Sequence, residues 1–361
     1  MLLGCWAGGV GLFLLLRVAT QPLGSGDAPI YQAMAEQPTH FAHAPHGYRI
    51  LVPWLTHGVM RLTALPVASA YLAVSAMLFA SLLVALALWF YRIERADALL
   101  TLQVVLLGAC AYPGLYYSHN VMHVGLGELV VLAAGCAAIR ARRFGLVLAT
   151  VIVGGFVKET ALALIPLWFV VELGEMPWRR LLPRAAGLVV AGLIVFFVLR
   201  SGLPFVASSV PGAGAALTTT NPDELRAYWG SPYNVIMRVS ETFGAVWLFA
   251  AFGFVCADGR ARRLALLIPL ALAQIAVATD ISRMTALALP VILFLALMFL
   301  RRLPRIGQVA LTILALVVFF TYDYRLPVTR WLLLAAYLAA VGAFIGTRVQ
   351  RLEWSSGRAT G

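Results

Sequence analysis

An acid and a tyrosine near the start of the chain are spaced so that both could serve a reaction. Asp27 and Tyr31 lie four residues apart in GDAPIYQAMA, after an apolar stretch of residues 2–19. Asp27 also precedes Ala-Pro, which is typical of a helix N-terminus, so a capping role is one interpretation of its carboxylate. The other interpretation is a general base that removes a proton from a substrate hydroxyl.

Two further groups of charged residues lie beside apolar stretches. Lys158 and Glu159 interrupt an apolar region in GGFVKETALALIP, and Asp280 and Arg283 lie in ATDISRM. Ionisable side chains are costly near the bilayer and often functional there. We expect Lys158, oriented by Glu159, and the guanidinium of Arg283 to bind a phosphate group. The alternative is two plain ion pairs, the second at i,i+3 spacing.

The histidines fall into two groups. His40, His43 and His46 form H-x2-H-x2-H, and neutral imidazoles are common zinc ligands. No thiolate or carboxylate is closely spaced with them, so we assign no cofactor and no metal ligand and leave a divalent metal as an alternative. His119 and His123, in YYSHNVMHVGLGE, are expected to line the same cavity as the charged groups or to be satisfied structural residues.

The segment GYRILVPWLTHGVMRL has the periodicity of an amphipathic helix. Arg49, Pro53, His57 and Arg61 recur every four residues, and apolar residues including Trp54 occupy the other side. This pattern predicts a helix in the membrane interface. Arg49 would bind a lipid phosphate there or form part of a topological anchor.

Composition and charge indicate a membrane protein. Of 361 residues, 62% are hydrophobic and 12% are charged, whereas soluble domains contain roughly a quarter charged residues. The net charge of +12 comes mostly from short loops beside apolar stretches. That placement favours membrane lipids over nucleic acid as the partner of the basic residues.

Twelve apolar runs predict an all-α, polytopic transmembrane helix bundle of about 12 spans. The runs are 2–19, 66–91, 97–113, 122–139, 144–157, 161–174, 185–201, 242–257, 264–279, 285–300, 306–321 and 330–347. Arginines cluster in every second connection, so the positive-inside rule predicts that both termini are cytoplasmic.

We predict a single integral membrane domain over residues 1–361. It has a first outer loop plus interfacial helix at 20–64 and a second outer loop at 202–241. In the second loop, Asn221-Pro-Asp-Glu predicts a helix start. Tyr228, Trp229 and Tyr233 are candidates for stacking on a sugar or for anchoring in the headgroups.

The chain resembles the GT-C superfamily of polytopic membrane glycosyltransferases, which use polyprenyl-phosphate-linked sugars as donors. The resemblance lies in a first helix, a long outer loop with Asp27 and Tyr31 in GDAPIYQAMA, and an interfacial helix; VKETALALIP is similar to uncharacterised bacterial members. It implies that Asp27 is the essential acid and that transfer inverts the anomeric carbon. A WWDYG-type motif, a second adjacent acid and a C-terminal soluble domain are absent, which argues against an oligosaccharyltransferase.

The sequence therefore favours a glycosyltransferase at the outer face of the inner membrane. A polyprenyl-phosphate-linked sugar would be the donor and a lipid or glycan the acceptor. Asp27 would be the base, and some of Arg49, Lys158 and Arg283 would hold the donor phosphate. Supporting roles are assigned to Tyr31, Glu159, Asp280, His119 and His123. A transporter or flippase of a lipid-linked or anionic substrate is the first alternative, and a structural partner in an envelope-building complex is the second.

Overall fold

The computed structural model describes residues 2–19, 27–39, 46–199, 229–277, 280–323 and 328–357. Over these ranges the chain consists of helices and the turns that join them. No β-strand occurs within these ranges. Helices pair their own backbone N–H and C=O groups, which a hydrocarbon environment requires.

The first group of helices precedes residue 200 and includes one long, apolar helix. They are α1 (Leu2–Ala19), α2 (Ala28–Glu36), α3 (Leu51–Thr63), α4 (Val67–Leu88, continued by a π-helical turn, Trp89–Ile93), α5 (Ala98–Cys110), α6 (Tyr112–His119), α7 (Gly125–Arg140), α8 (Phe144–Val157), α9 (Leu164–Glu172) and α10 (Trp178–Phe197). Short 3-10 turns cover His46–Tyr48 and Glu159–Ala163. Helix α4 packs against α1, α3 and α7.

The second group of helices follows residue 228. They are α11 (Pro232–Phe243), α12 (Val246–Cys256), α13 (Gly259–Leu264), α14 (Leu267–Ala273, continued by the 3-10 turn Gln274–Val277), α15 (Ile281–Ala286), α16 (Leu289–Leu300), α17 (Arg305–Asp323) and α18 (Thr329–Gly357). Helix α16 has no polar side chain and is buried on nearly all sides, as expected for a helix that is apolar all round.

Each of the twelve predicted apolar runs coincides with a helix. Helices long and apolar enough to cross a membrane are Val67–Ile93, Trp178–Phe197 and Thr329–Thr347 among the described residues, with two bent pairs as further candidates. The bent pairs are Ala98–Cys110 with Tyr112–His119, at 53°, and Pro232–Phe243 with Val246–Cys256, at 77°. An all-helical membrane bundle is confirmed, while the count of about 12 spans and the orientation of the termini stay predictions.

Beyond the bend after α5, the connection between the predicted runs 97–113 and 122–139 forms the short helix α6. Pro113 lies in the first turn of α6, and the preceding Ala111 is extended. A Cβ on Gly114 would lie 1.8 Å from the carbonyl oxygen of Ala109, so this tight corner requires glycine. The bend directs the end of α6 and the following His123 toward the start of α2.

Helix α3, which the sequence predicts to be interfacial, begins later than predicted, and a different side of it faces the protein. It starts at Leu51, so Arg49 precedes it. Pro53 is buried and His57 contacts the carbonyl oxygen of Ala35, whereas Trp54 is exposed. Arg49, Pro53 and His57 of the predicted polar side therefore pack against the protein, whereas Arg61 at its end is exposed and the apolar Trp54 faces outward.

Ion pairs join the helices at the end opposite Asp27. Arg140, at the end of α7, pairs with Glu94 at 2.9 Å and with Asp258 at 2.9 Å. Arg260 of α13 pairs with the buried Glu172 of α9. Several arginines of the basic loops thus hold helix ends together in addition to setting the charge of this face.

Candidate functional site

The carboxylate of Asp27 binds three side chains from distant parts of the sequence. Asp27 occupies the N-cap position of α2 but makes no side-chain capping bond. Arg283 Nη1 instead donates to Asp27 Oδ2 at 2.8 Å. His123 Nε2 lies 3.4 Å from Oδ2, and His46 Nε2 lies 3.6 Å from Oδ1. The interpretation of Asp27 as a simple helix cap is therefore insufficient.

Both ring nitrogens of His123 have close neighbours. The backbone N–H of Gly125 donates to Nδ1 at 2.9 Å, and Nε2 lies 3.4 Å from Asp27 Oδ2 and 2.5 Å from Arg283 Nη1. Tyr117 packs against the ring at 5.4 Å between centroids. A Cβ at Gly125 would meet the Tyr117 hydroxyl at 2.0 Å, so the glycine allows the close approach of these two segments.

The electrostatics of the cluster keep Asp27 ionised and His123 neutral. Hydrogen bonds from His123 and His46, with the guanidinium of Arg283, hold the pKa of Asp27 far below its usual range despite burial. Burial, with a smaller contribution from the nearby Arg283, lowers the pKa of His123 from 6.5 to about 3 against the opposing effect of Asp27. While these donors remain in place, Asp27 is a weak base.

Arg283 is held between two carboxylates. Asp280 caps α15 by accepting the backbone N–H of Arg283 at 2.9 Å. Its other oxygen lies 2.6 Å from Arg283 Nε, so the predicted i,i+3 pair forms. Arg283 also reaches Asp27 and so joins the cluster, while its binding of a phosphate stays a prediction.

Tyr31 joins the Asp27 cluster to a second ion pair. Its ring lies 5.7 Å from that of His46 and 5.6 Å from that of His123. Arg49 Nη1 donates to the Tyr31 hydroxyl at 3.1 Å and Arg49 Nη2 to Glu159 Oε1 at 3.0 Å. Burial raises the pKa of Tyr31, which keeps its hydroxyl protonated.

Lys158 and Glu159 do not pair with each other as expected. Helix α8 ends at Val157, and Lys158 is extended, so the two side chains leave the backbone in different directions. Lys158 Nζ lies 3.0 Å from Glu128 Oε2 in a buried pair, and Thr160 Oγ1 donates to the other oxygen of Glu128. Burial opposes ionisation of Glu159, but Arg49 and Lys158 outweigh it and lower its pKa to about 2.

Every cation predicted to bind phosphate already has an acidic partner. Arg49 pairs with Glu159, and Lys158 pairs with Glu128. Arg283 pairs with both Asp27 and Asp280. An anionic ligand therefore competes with a carboxylate at each of these cations, and the exchange is easier for an exposed pair. The side chains of Arg283 and Asp27 are 19% and 23% exposed and those of Arg49 and Glu159 are 11% and 31% exposed, whereas those of Lys158 and Glu128 are 7% and 2% exposed.

His119 lies apart from this cluster, beside residues that the sequence analysis did not single out. It lines a cavity of about 420 Å³ together with Arg17 and Asn120. Arg17 is the only charged residue of the apolar run 2–19. A cation in an otherwise apolar helix is a recognised indication of function, and that indication was present in the sequence.

The structure describes only part of the two predicted outer loops. His40, His43, Asn221 and Tyr228 lie outside the described residues. Within the described ranges, no group of three or more His, Cys, Asp or Glu residues is arranged to hold a metal ion. Trp229 and Tyr233 are described, and Trp229 lines an apolar groove beside α11.

Comparisons with known proteins place this geometry in a fold. No protein-family model matches the chain, and no curated protein matches it. Among solved structures, the crystal structure of ArnT from Cupriavidus metallidurans bound to undecaprenyl phosphate is similar, with a TM-score of 0.56 over 96% of this chain and 75% of the ArnT chain. The chain shares the fold of this ArnT structure.

The shared fold agrees with the resemblance expected from the sequence. The two chains are 15% identical, so the match establishes the arrangement of helices. The roles of individual residues are argued from their contacts.

Proposed function

We propose that this protein is a membrane glycosyltransferase that moves a sugar from a polyprenyl-phosphate donor to an acceptor hydroxyl. The observation that carries the proposal is the direct contact of Asp27 with Arg283 in a chain with the GT-C fold. The similar ArnT structure contains undecaprenyl phosphate, which supports a polyprenyl phosphate as the lipid part of the donor. We place the reaction at the outer face of the inner membrane, opposite the arginine-rich loops.

In the proposed reaction Asp27 accepts the proton of the acceptor hydroxyl. The acceptor oxygen forms a bond to the anomeric carbon of the sugar while the bond from that carbon to the phosphate oxygen breaks. The polyprenyl phosphate leaves with the electron pair, and attack from the opposite side inverts the anomeric carbon. A single positioned base and a good leaving group are sufficient for this step.

Arg283 connects donor binding to the basicity of Asp27. The donor phosphate replaces Asp27 as a partner of the guanidinium, while Asp280 keeps Arg283 in place. Removing that ion pair raises the pKa of Asp27 from its low value, although the hydrogen bonds from His123 and His46 still lower it, so Asp27 becomes a better base when the donor is bound. The exposure of the Asp27–Arg283 pair supports this exchange.

An apolar groove beside the Arg283 helix could hold the donor's lipid chain. The groove has a volume of about 730 Å³ and is lined mostly by apolar side chains of α11 and of the segment from α14 to the following 3-10 turn, among them Val235, Ile236, Leu272 and Ile275. Helix α11 packs on α15, the helix that carries Arg283. A polyprenyl chain lying in this groove would have its phosphate near Arg283.

The contacts of Arg49 and Lys158 support positioning roles. Arg49 orients the Tyr31 hydroxyl through a bond that Glu159 reinforces. Lys158 neutralises the buried Glu128. We therefore assign the donor phosphate to Arg283, and assign Arg49 and Lys158 to the support of Tyr31 and of the break between α8 and α9.

The test is sugar transfer from a radiolabelled polyprenyl-phosphate-sugar pool in membranes that contain the wild type or Asp27→Asn. Loss of a general base lowers the rate by roughly 10²- to 10⁴-fold. Glu36→Gln is the matched control, because Glu36 is exposed at the other end of α2 and bonds only locally to Gln32. Full activity of an expressed Asp27→Asn protein would falsify the role of Asp27. A wild type that moves the labelled lipid across vesicles without transferring the sugar is a transporter.

A further inference from the structure

A separate cavity lies next to the Asp27 cluster, and none of the side chains of that cluster line it. The cavity, of about 420 Å³, lies among α1, α4 and the segment from His119 to Met122. Its size falls in the range of small-molecule binding sites, roughly 300–1,000 Å³. Two of its lining residues, Ala28 and Met122, adjoin Asp27 and His123 in the chain, so a ligand in this cavity borders the proposed base.

The cation of this cavity differs from the cations of the Asp27 cluster. Arg17 Nη1 donates to the carbonyl oxygen of Ser118 at 2.8 Å and to that of His119 at 3.4 Å. These are neutral acceptors, and Arg17 has no carboxylate partner in the described part of the chain. Its position is fixed while its charge is not neutralised, which is the state expected of a preformed anion site.

The rest of the lining is mixed. Asn120 supplies a polar group, while Leu72, Val121 and Met122 supply apolar surface. This combination fits a ligand with an anionic group and an apolar or amphipathic body. The long apolar groove beside Arg283 fits a polyprenyl chain better, so the two substrates of a transfer reaction would approach Asp27 by different routes.

We propose that this cavity binds the acceptor and that the acceptor carries an anionic group, a phosphate or a carboxylate, held by Arg17. The proposal rests on the proposed function for its statement that the ligand is an acceptor. Binding of an amphiphilic anion at Arg17 can be measured without any transfer. A failure of this proposal is therefore distinct from a failure of the glycosyltransferase assignment.

The test is the binding of dodecyl phosphate to the detergent-solubilised full chain, measured calorimetrically with undecaprenyl phosphate present to occupy the donor site. We expect Arg17→Gln to weaken this binding by roughly tenfold or more, as for a lost charge-assisted hydrogen bond. Arg61→Gln, which removes an exposed arginine of α3, should leave the dissociation constant unchanged. Laurate in place of dodecyl phosphate shows which anionic group is preferred.

A second variant guards against a folding defect in Arg17→Gln. Ala68→Phe introduces a ring at the start of α4, in the lining of the cavity, and leaves the contacts of Arg17 with Ser118 and His119 in place. It should abolish the same binding while the unfolding temperature stays near that of the wild type. Equal binding by wild type, Arg17→Gln and Ala68→Phe overturns the proposal. Complete displacement of dodecyl phosphate by undecaprenyl phosphate also overturns it, because the cavity then belongs to the donor.

Discussion

The buried Lys158–Glu128 pair gives the most discriminating prediction about the site. Both side chains are almost fully buried and 3.0 Å apart, so Lys158→Met leaves a buried carboxylate with Thr160 as its remaining partner. Removing one member of a buried ion pair costs about 3–5 kcal/mol. Arg142→Gln breaks a far more exposed pair, with Glu175, and should cost about 0–1 kcal/mol.

The double variant Lys158→Met with Glu128→Gln separates support from ligand binding. Replacing both charges removes the uncompensated carboxylate, so we expect most of the lost stability to return. If Lys158 only neutralises Glu128, sugar transfer returns with stability. The assay is unfolding of the purified protein in detergent, followed by transfer measurements on the same samples.

Two results would refute this reasoning. A Lys158→Met protein as stable as Arg142→Gln would show that the buried carboxylate is satisfied without Lys158. A stable double variant with no transfer would show that Lys158 itself contacts the donor, and the phosphate assignment would then pass from Arg283 alone to both residues.

The remaining predictions concern acid stability and helix packing. Because the pKa of His123 is about 3 in the folded protein against 6.5 for an ordinary histidine, the unfolded chain binds the extra proton below pH 6.5 and stability falls on acidification. Between pH 7 and pH 5 the free energy of unfolding should fall by about 2 kcal/mol more for the wild type than for His123→Gln in unfolding titrations. Equal decreases for the two proteins would contradict this. A Cβ at Gly253 would lie 1.7 Å from the Leu295 carbonyl oxygen, so Gly253→Ala should force α12 from α16 and cost about 1–3 kcal/mol. Gly8→Ala, which meets nothing within 4 Å, should change stability by less than about 1 kcal/mol in the same melt, and equal effects would exclude the packing argument.

Much of the fold followed from the sequence because apolar length and charge position are local properties. Every predicted apolar run became a helix, and the resemblance based on Asp27 and Tyr31 led to the correct fold. The missed elements were α6 and the start of α3, which depend on a proline corner at Pro113 and on partners for Arg49. The periodicity of the sequence alone predicts neither α6 nor the start of α3.

The candidate site was foreseen as a set of residues but not as a set of contacts. The sequence marked Lys158, Glu159 and Arg283 because charges are costly beside apolar helices. It paired Lys158 with its neighbour Glu159, whereas packing assigned Lys158 to Glu128, 30 residues away. Arg17 is likewise a charged residue in an apolar helix. The sequence analysis did not single it out, because no nearby acid suggested a site.

By itself the sequence determined that this chain is a helical membrane protein and that its reactive groups lie outside the arginine-rich loops, because hydrophobic length and charge act residue by residue. Only the tertiary structure decided that Arg283 reaches Asp27 across 256 residues, that His123 lies beside the same carboxylate, and that Arg17 lies in a separate cavity. Such contacts depend on how the helices pack together, and helix packing depends on shape and burial across the whole chain rather than on any local pattern.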